Sequence, residues 1–298
     1  MTGDSQSQAS PFERWLQEQD APVVGGYSVP DVLTLPLGPW ERKGGLGAIL
    51  NLVGCQGWMN AYVCEIPTGQ ALKPQRHLFE EEIYVLRGQG VTEVWDDGGG
   101  MARVEWKEGS LFSPPLNVWH RHANLGDGPA RYLAVTTLPV VMNLFRNPDF
   151  VFDNGSIFRD RFDGKSDYFR RAGRPSPDSA GHLAVNLISN VREVAFQEWA
   201  EGLPPGAANP MSPLMGSIYF CLSRNTLVGH IREIKPGTYK KAHRHGGAAH
   251  ILILAGSGYS LMWPVGGERV RVDWKPGSVF SPPERWFHQH FNTGRETV

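Results

Sequence analysis

A displacement of 168 residues lays the second half of this chain over the first without a gap. Residues 106–126, WKEGSLFSPPLNVWHRHANLG, and residues 274–294, WKPGSVFSPPERWFHQHFNTG, agree at 12 of 21 positions. The same shift pairs Gly69 with Gly237, His77 with His245, and the turn Gly88-Gln89-Gly90 with Gly256-Ser257-Gly258. A repeat of this length requires two copies of one folding unit, so whatever the chain forms it must form twice. The expected division is an N-terminal extension over 1–44, copy one over 45–139, a connector over 140–215 and copy two over 216–298.

Inside each copy, short β-branched and aromatic runs are interrupted by glycine and proline, of which the chain has 35 and 23. Many short strands joined by turns follow from that pattern, and the chain reads as all-β. Helix is expected in two places. One is PFERWLQEQD near the N-terminus. The other is residues 190–203, NVREVAFQEWAEGL, where an asparagine cap precedes apolar residues near helical spacing.

Charge excludes some partners. Lysine plus arginine (29) nearly balance aspartate plus glutamate (30), so no basic footprint for nucleic acid or an anionic membrane surface is present. No apolar run approaches the roughly 20 residues of a membrane span, and MTGDSQSQAS lacks the basic and apolar regions of a secretory signal, so a cytoplasmic location is expected. Cys55, Cys64 and Cys221 are odd in number and lack CxxC spacing, which suits reduced core thiols. Past Asn124, copy one continues as LGDGPARYLAVTTLPV, which reads as a closing strand, whereas copy two stops at TGRETV. Either the polypeptide is shortened or another segment covers that sheet edge. An edge of that kind makes a homodimer the expected assembly.

Histidine is concentrated in residues 240–250, KKAHRHGGAAH, which hold three of the chain's ten histidines. The run lies between the strand-like LVGHIREI and the apolar ILILAGSGYSLMW, deep inside the chain. On a strand, residues i and i+2 face the same side, so His243 and His245 project together while Arg244 points away. Paired neutral imidazoles are ligands for Fe, Mn, Ni, Cu or Zn.

These residues also carry a resemblance. Gly237, His243-Arg244-His245 and Gly256 follow the first motif of the cupin superfamily, G(x)5HxH(x)3-4E(x)6G. Gly277, Pro283, His288 and Asn292 follow the second, G(x)5PxG(x)2H(x)3N. Copy one repeats them as Gly69, Gln75-Arg76-His77, Glu81 and Gly88, then Gly109, Pro115, His120 and Asn124. The chain resembles a bicupin, which implies two jelly-roll β barrels with a partly helical connector and a divalent transition metal bound by the motif residues.

Each copy departs from the pattern differently. Copy one has Gln75, a weaker amide-oxygen donor, where the first histidine belongs, so that His77, Glu81 and His120, with Gln75, form a second, less complete ligand set. Copy two has His243, His245 and His288 but Ala249 in the glutamate position. Three-histidine centres of this kind are similar to those of gentisate-dioxygenase-like and diketone-cleaving cupins, which implies an Fe(II) dioxygenase; Mn, Ni or Zn with a redox-neutral lyase, isomerase, decarboxylase or hydrolase reaction is the alternative. A non-catalytic small-molecule-binding cupin is a further reading. Loss of the carboxylate makes the second site one charge more positive, which favours a small anionic, chelating substrate.

Five more expectations concern the surroundings. Asn117 and Arg285 occupy the glycine position of the second motif, so both turns are expected to depart from the usual one. His290, like His122 in copy one, follows a motif histidine by two residues and shares its face, as an acid-base group or a packed residue. His250 is a fourth ligand or proton-transfer group if a bulge turns it inward, and otherwise a structural histidine. Trp286 lines the cavity beside His288, and His182 and His230 are read as ordinary residues.

Overall fold

The computed structural model describes residues 9–177, 182–194 and 217–298. The first element is the helix Pro11–Gln17, started by a capping box in which the Ser10 hydroxyl accepts from the Glu13 amide and the Glu13 carboxylate accepts from the Ser10 amide. It buries Phe12, Trp15 and Leu16. Residues 190–194, where a second helix was expected to begin, form a turn in which Asn190 Oδ1 accepts from the Arg192 amide at 3.0 Å. Residues 195–203 lie outside the described residues. Among those described, no helix is long and apolar enough to cross a membrane.

The first barrel has two facing sheets. The larger runs, in spatial order, Val23–Val24, Gly45–Leu50, Asn60–Ile66, Ala130–Thr136, Glu81–Arg87, Leu111–Phe112 and Leu187–Ile188, with Gly38–Trp40 added beside Gly45–Leu50. The smaller consists of Trp119–Asn124, Gln89–Trp95 and Met101–Lys107. Alternation sets the inner face: along Met101–Lys107, Ala102, Val104 and Trp106 are buried while the residues between them are exposed. Those inner residues join Ile49, Tyr62, Cys64, Phe79, Ile83 and Tyr132 in one core.

The second barrel repeats the plan. One sheet contains Tyr239–His243, Phe287–Asn292, Gly258–Trp263 and Val270–Trp274. The other is in two pieces. Arg174–Pro175, Leu183–Val185, Ser217–Leu222 and Gly229–Arg232 form one, and Ile251–Leu252, Val279–Phe280 and Ser28–Val29 form the other. In the first barrel Ala130–Thr136 bridges the corresponding pieces by pairing with Asn60–Ile66 on one side and Glu81–Arg87 on the other. In the second, Val298 stands where Ala130 stands, exchanging backbone hydrogen bonds with Ile234 at 3.0 Å each way.

The barrels are interlocked. Ser28–Val29 from the N-terminal extension pairs with Val279–Phe280 of the second barrel, and Leu187–Ile188 from the connector pairs with Leu111–Phe112 of the first. Equivalent serines fasten both: Ser278 Oγ donates to Pro30 O at 2.7 Å and Ser110 Oγ to Ser189 O at 2.8 Å. Leu50, Leu52, Val63, Leu133, Leu222 and Val279 from the outer faces form a core between the barrels. Cys55, Cys64 and Cys221 are buried and free of disulfides, as their spacing suggested.

Candidate metal centres

In the second barrel, His243 ends the strand Tyr239–His243 and stands in register opposite His288 on Phe287–Asn292. His245 follows two residues later. Their ring centroids are 4.2 Å apart for His243 and His288, 4.9 Å for His245 and His288, and 5.7 Å for His243 and His245. One ligand atom from each lies within 4.8 Å of the others. Backbone carbonyls fix the ring orientations: Nδ1 of His243 meets Lys241 O at 3.0 Å, that of His245 meets Gly246 O at 3.1 Å, and that of His288 meets Trp286 O at 3.3 Å. A protonated Nδ1 donating outward leaves each Nε2 lone pair for a cation.

Burial, and then the neighbouring His243, pushes the His288 pKa down to about 3. Burial followed by Lys240 lowers that of His243. Both imidazoles are therefore neutral at neutral pH, the form a metal requires. His288 is buried, His243 half-buried and His245 exposed, so the cluster opens outward.

The first barrel holds a matching but sealed cluster. His77, Glu81 and His120 are 4, 1 and 1% exposed. Glu81 Oε2 is 3.7 Å from Nε2 of each histidine, and all three atoms lack a hydrogen-bond partner. Their Nδ1 atoms are held by Phe79 O at 2.8 Å and Val118 O at 2.9 Å. Buried orphan ligand atoms converging on one point fit a cation. The Gln75 backbone pairs with His120 in both directions, at 3.0 and 2.8 Å.

Two groups absent from the motifs complete the first site. Tyr62 Oη donates to Glu81, and Lys43 Nζ donates to Tyr62 Oη at 2.7 Å while standing 3.6 Å from Glu81 Oε1. Burial opposes ionisation of Glu81, but Lys43 and the two histidines hold its carboxyl well below the usual carboxylate range. No spacing pattern marks Lys43, which reaches the site from the loop before Gly45–Leu50.

The seal comes from the connector. Phe79 stacks on His77 at 3.7 Å between centroids, Phe152 packs edge-on against Phe79 at 5.6 Å, and the Arg42 guanidinium lies 3.4 Å over Phe152. Asn117 Nδ2 donates to Asn154 O and Ser156 O at 2.9 and 2.8 Å, pinning the connector across the mouth. In copy two the place of Phe79 is Gly247. Asn117 and Arg285 both adopt left-handed backbone, with φ of 56° and 61°. Their amides donate to His77 O and His245 O at 3.1 Å. The expected departure is therefore absent: both residues take the conformation that glycine would take more easily.

The remaining sequence candidates separate. His290 Nδ1 is 2.7 Å from Ser260 Oγ, which also accepts from Trp274 Nε1 at 3.0 Å. His122, Thr92 and Trp106 repeat this arrangement in the sealed barrel, with distances of 2.7 and 2.9 Å. Burial, then His288, holds the His290 pKa well below its ordinary value. Trp286 packs beside Tyr27 at 5.9 Å, and its carbonyl orients His288. His250 is outside the ligand cluster: its Nδ1 is 3.4 Å from Cys55 Sγ, which lies 2.9 Å from Ser281 Oγ, in a contact between the copies.

Residues 62–136 match the cupin domain family. No curated protein matches the chain. Among solved structures, salicylate 1,2-dioxygenase from Pseudoaminobacter salicylatoxidans, in adducts with gentisate, is similar with a TM-score of 0.60 at 17% identity, over 89% of this chain and 74% of that one. A structure of oxalate decarboxylase is similar with a TM-score of 0.57 at 15% identity, over 92% of this chain and 75% of that one. At these identities the likeness is one of fold. Residues 62–136 carry a cupin domain, and the chain as a whole has the fold of two jelly rolls that the repeat implied.

Proposed function

We propose that this bicupin is a metal-dependent enzyme whose working centre is His243, His245 and His288, and that it acts as an Fe(II) dioxygenase on a small anionic, chelating substrate of phenolic, hydroxybenzoate or diketone type. The observation carrying this reading is the contrast between the copies. Both aim imidazole nitrogens at a common point, but the first site is closed by Phe79 and the connector while the second keeps His245 exposed. Three protein ligands leave room for further ligands, as catalytic sites do and structural four-ligand sites do not.

Bound there, a divalent metal would supply Lewis acidity and, as Fe(II), redox chemistry with dioxygen. The chain's own residues do the rest. Neutral His243, His245 and His288 hold the cation. Ala249 in place of a carboxylate leaves the site one charge more positive, so a substrate bringing its own negative charge is favoured. Trp286 sets His288 and offers an aromatic wall, and His290, neutral and held by Ser260, relays a proton without keeping it. The fold likeness to a salicylate dioxygenase seen with gentisate supports the substrate class by analogy.

The test is metal analysis of anaerobically purified protein, followed by oxygen-electrode assays against phenols, hydroxybenzoates and diketones. Bound iron with substrate-dependent oxygen uptake is expected. His245→Ala abolishes uptake and empties the second site, while His77→Ala leaves uptake mostly intact; equal loss from both overturns the choice of barrel. Bound Zn or Mn without uptake points instead to redox-neutral catalysis, and an empty site to a binding protein. The proposed assembly is a homodimer, measured by light scattering.

A further inference from the structure

The barrels differ in charge on the inner wall beside the candidate ligand residues. Asn124 Nδ2 donates to Ile66 O at 2.9 Å, and Asn292 Nδ2 donates to Ile234 O at 2.8 Å, so the repeat stays in register along Asn60–Ile66 and its counterpart Gly229–Arg232. Val63 and Ile231 both pack into the core between the barrels. Their neighbours at alternate positions therefore turn inward: Tyr62 and Cys64 in the first barrel, His230 and Arg232 in the second.

A third position follows from the adjoining strand. Lys240 is directly opposite His290, and His243 is opposite His288, with a bulge between them. Because His288 and His290 share a face, the bulge places Lys240 on the same face as His243. Its counterpart in the first barrel is Leu72, 3% exposed in the core. Three uncharged inward residues, Tyr62, Cys64 and Leu72, thus become His230, Arg232 and Lys240, while the one inward carboxylate, Glu81, becomes Ala249.

Among the described residues, no acid pairs with Arg232 or Lys240. Arg232 Nη2 donates to Tyr219 Oη at 3.3 Å, but its Nε is buried without a partner. Burial and then Arg232 push the Lys240 pKa down to about 8, and no acid opposes this. His230 packs its ring against Tyr219 at 5.2 Å between centroids, on the same face as Arg232, and feels the charge of His245 in the ligand set. Glu284, at the mouth, faces Arg285 at 3.6 Å and is 41% exposed. Half-buried cations on one inward face, with no acid against them among the described residues, constitute a site for an anion from outside.

We propose that Arg232 and Lys240, with His230 beside them, form an anion subsite of the second barrel that holds the distal carboxylate of a small dicarboxylate while its other end meets the three-histidine centre. The guanidinium fork receives a carboxylate with two parallel hydrogen bonds and the ammonium adds a point charge. This deepens the reading of the second barrel as the working centre and rests on it. It narrows the substrate from an anion that chelates to one with a second acid group beyond the chelating one.

The substitutions Arg232→Cys and Lys240→Leu restore residues that the first barrel already accommodates. Calorimetric titration compares succinate and malonate with propionate, on protein with and without metal, with metal content measured in parallel. Wild type is expected to bind the dicarboxylates roughly tenfold or more tightly than propionate. Each variant loses roughly 10- to 100-fold in dicarboxylate affinity, with propionate binding and metal content unchanged. Arg232→Lys, which keeps charge but not the fork, is intermediate. Equal affinity for mono- and dicarboxylates in wild type, or variants that bind like wild type, overturns the subsite. The metal-free titrations decide this separately: absent metal overturns the enzymatic reading, whereas a dicarboxylate affinity that Arg232→Cys abolishes in metal-free protein sustains the subsite.

Discussion

Glu81 is the residue whose loss the first barrel should tolerate least. Lys43 Nζ lies 3.6 Å from its Oε1, and the two side chains are 5 and 0% exposed. At an effective dielectric constant of 20, opposite unit charges at that distance attract by about 4 to 5 kcal/mol. Replacing Glu81 with glutamine keeps the volume and removes the charge, leaving a buried ammonium with no counter-ion, against the Tyr62 hydroxyl and the Tyr62 and Trp40 rings. Breaking a buried pair in this way costs about 3 to 5 kcal/mol. If the ammonium is the reason, Lys43→Met in the same chain should return most of that loss. The assay is urea unfolding of metal-free protein in chelator, followed by tryptophan fluorescence, for wild type, both single variants and the double variant. With a slope of about 3 kcal/mol per molar, Glu81→Gln lowers the midpoint by roughly 1 M or more. A loss below about 1 kcal/mol, or a double variant no better than Glu81→Gln, would refute the assignment of Glu81 as counter-ion to Lys43.

Two further outcomes follow from the second barrel and the contact between the copies. Ala249→Glu restores the fourth ligand at the position equivalent to Glu81; metal affinity should rise and affinity of the loaded protein for salicylate should fall, each roughly tenfold or more, by competition and equilibrium titration. His250 is pushed to about 4 by burial. Its unfolded counterpart titrates near 6.5, so the folded protein resists protonation, and stability present above about pH 6.5 is lost as pH falls toward 4. The contribution reaches about 2 kcal/mol at pH 5, and His250→Gln should shrink by that amount the stability difference between pH 7.5 and 5 in urea titrations.

Much of the fold was legible because the repeat preserves residues that backbone geometry demands. Equivalent asparagines, Asn124 and Asn292, hold equivalent carbonyls, and equivalent glycines at Gly69 and Gly237 have φ of 68° and 69°. The gathering of the motif side chains was legible for the same reason, since HxH on a strand and a histidine on its neighbour have fixed directions. What escaped depends on contacts distant in sequence. Phe152 meets Phe79, and Lys43 meets Glu81, only once the chain has folded, and no local period announces either pair. His250 turned toward Cys55 because it precedes the strand Ile251–Leu252, whose Leu252 packs into the core between the barrels. His230 looked ordinary because its meaning lies in comparison with Tyr62. Turn chemistry misled in the opposite direction: Asn117 and Arg285 accept a left-handed conformation expected of glycine.

The exchange of edge strands bears on how this molecule can be divided. Ser28–Val29 lies far from copy two in sequence, yet it borders that barrel's sheet, and Leu187–Ile188 does the same for copy one. A gene cut between the copies would strip one fragment of the N-terminal ribbon its sheet depends on and leave bare amide rows prone to sticking. Duplication here has produced interdependent halves, so a sealed barrel can persist as the scaffold of an open one even without chemistry of its own.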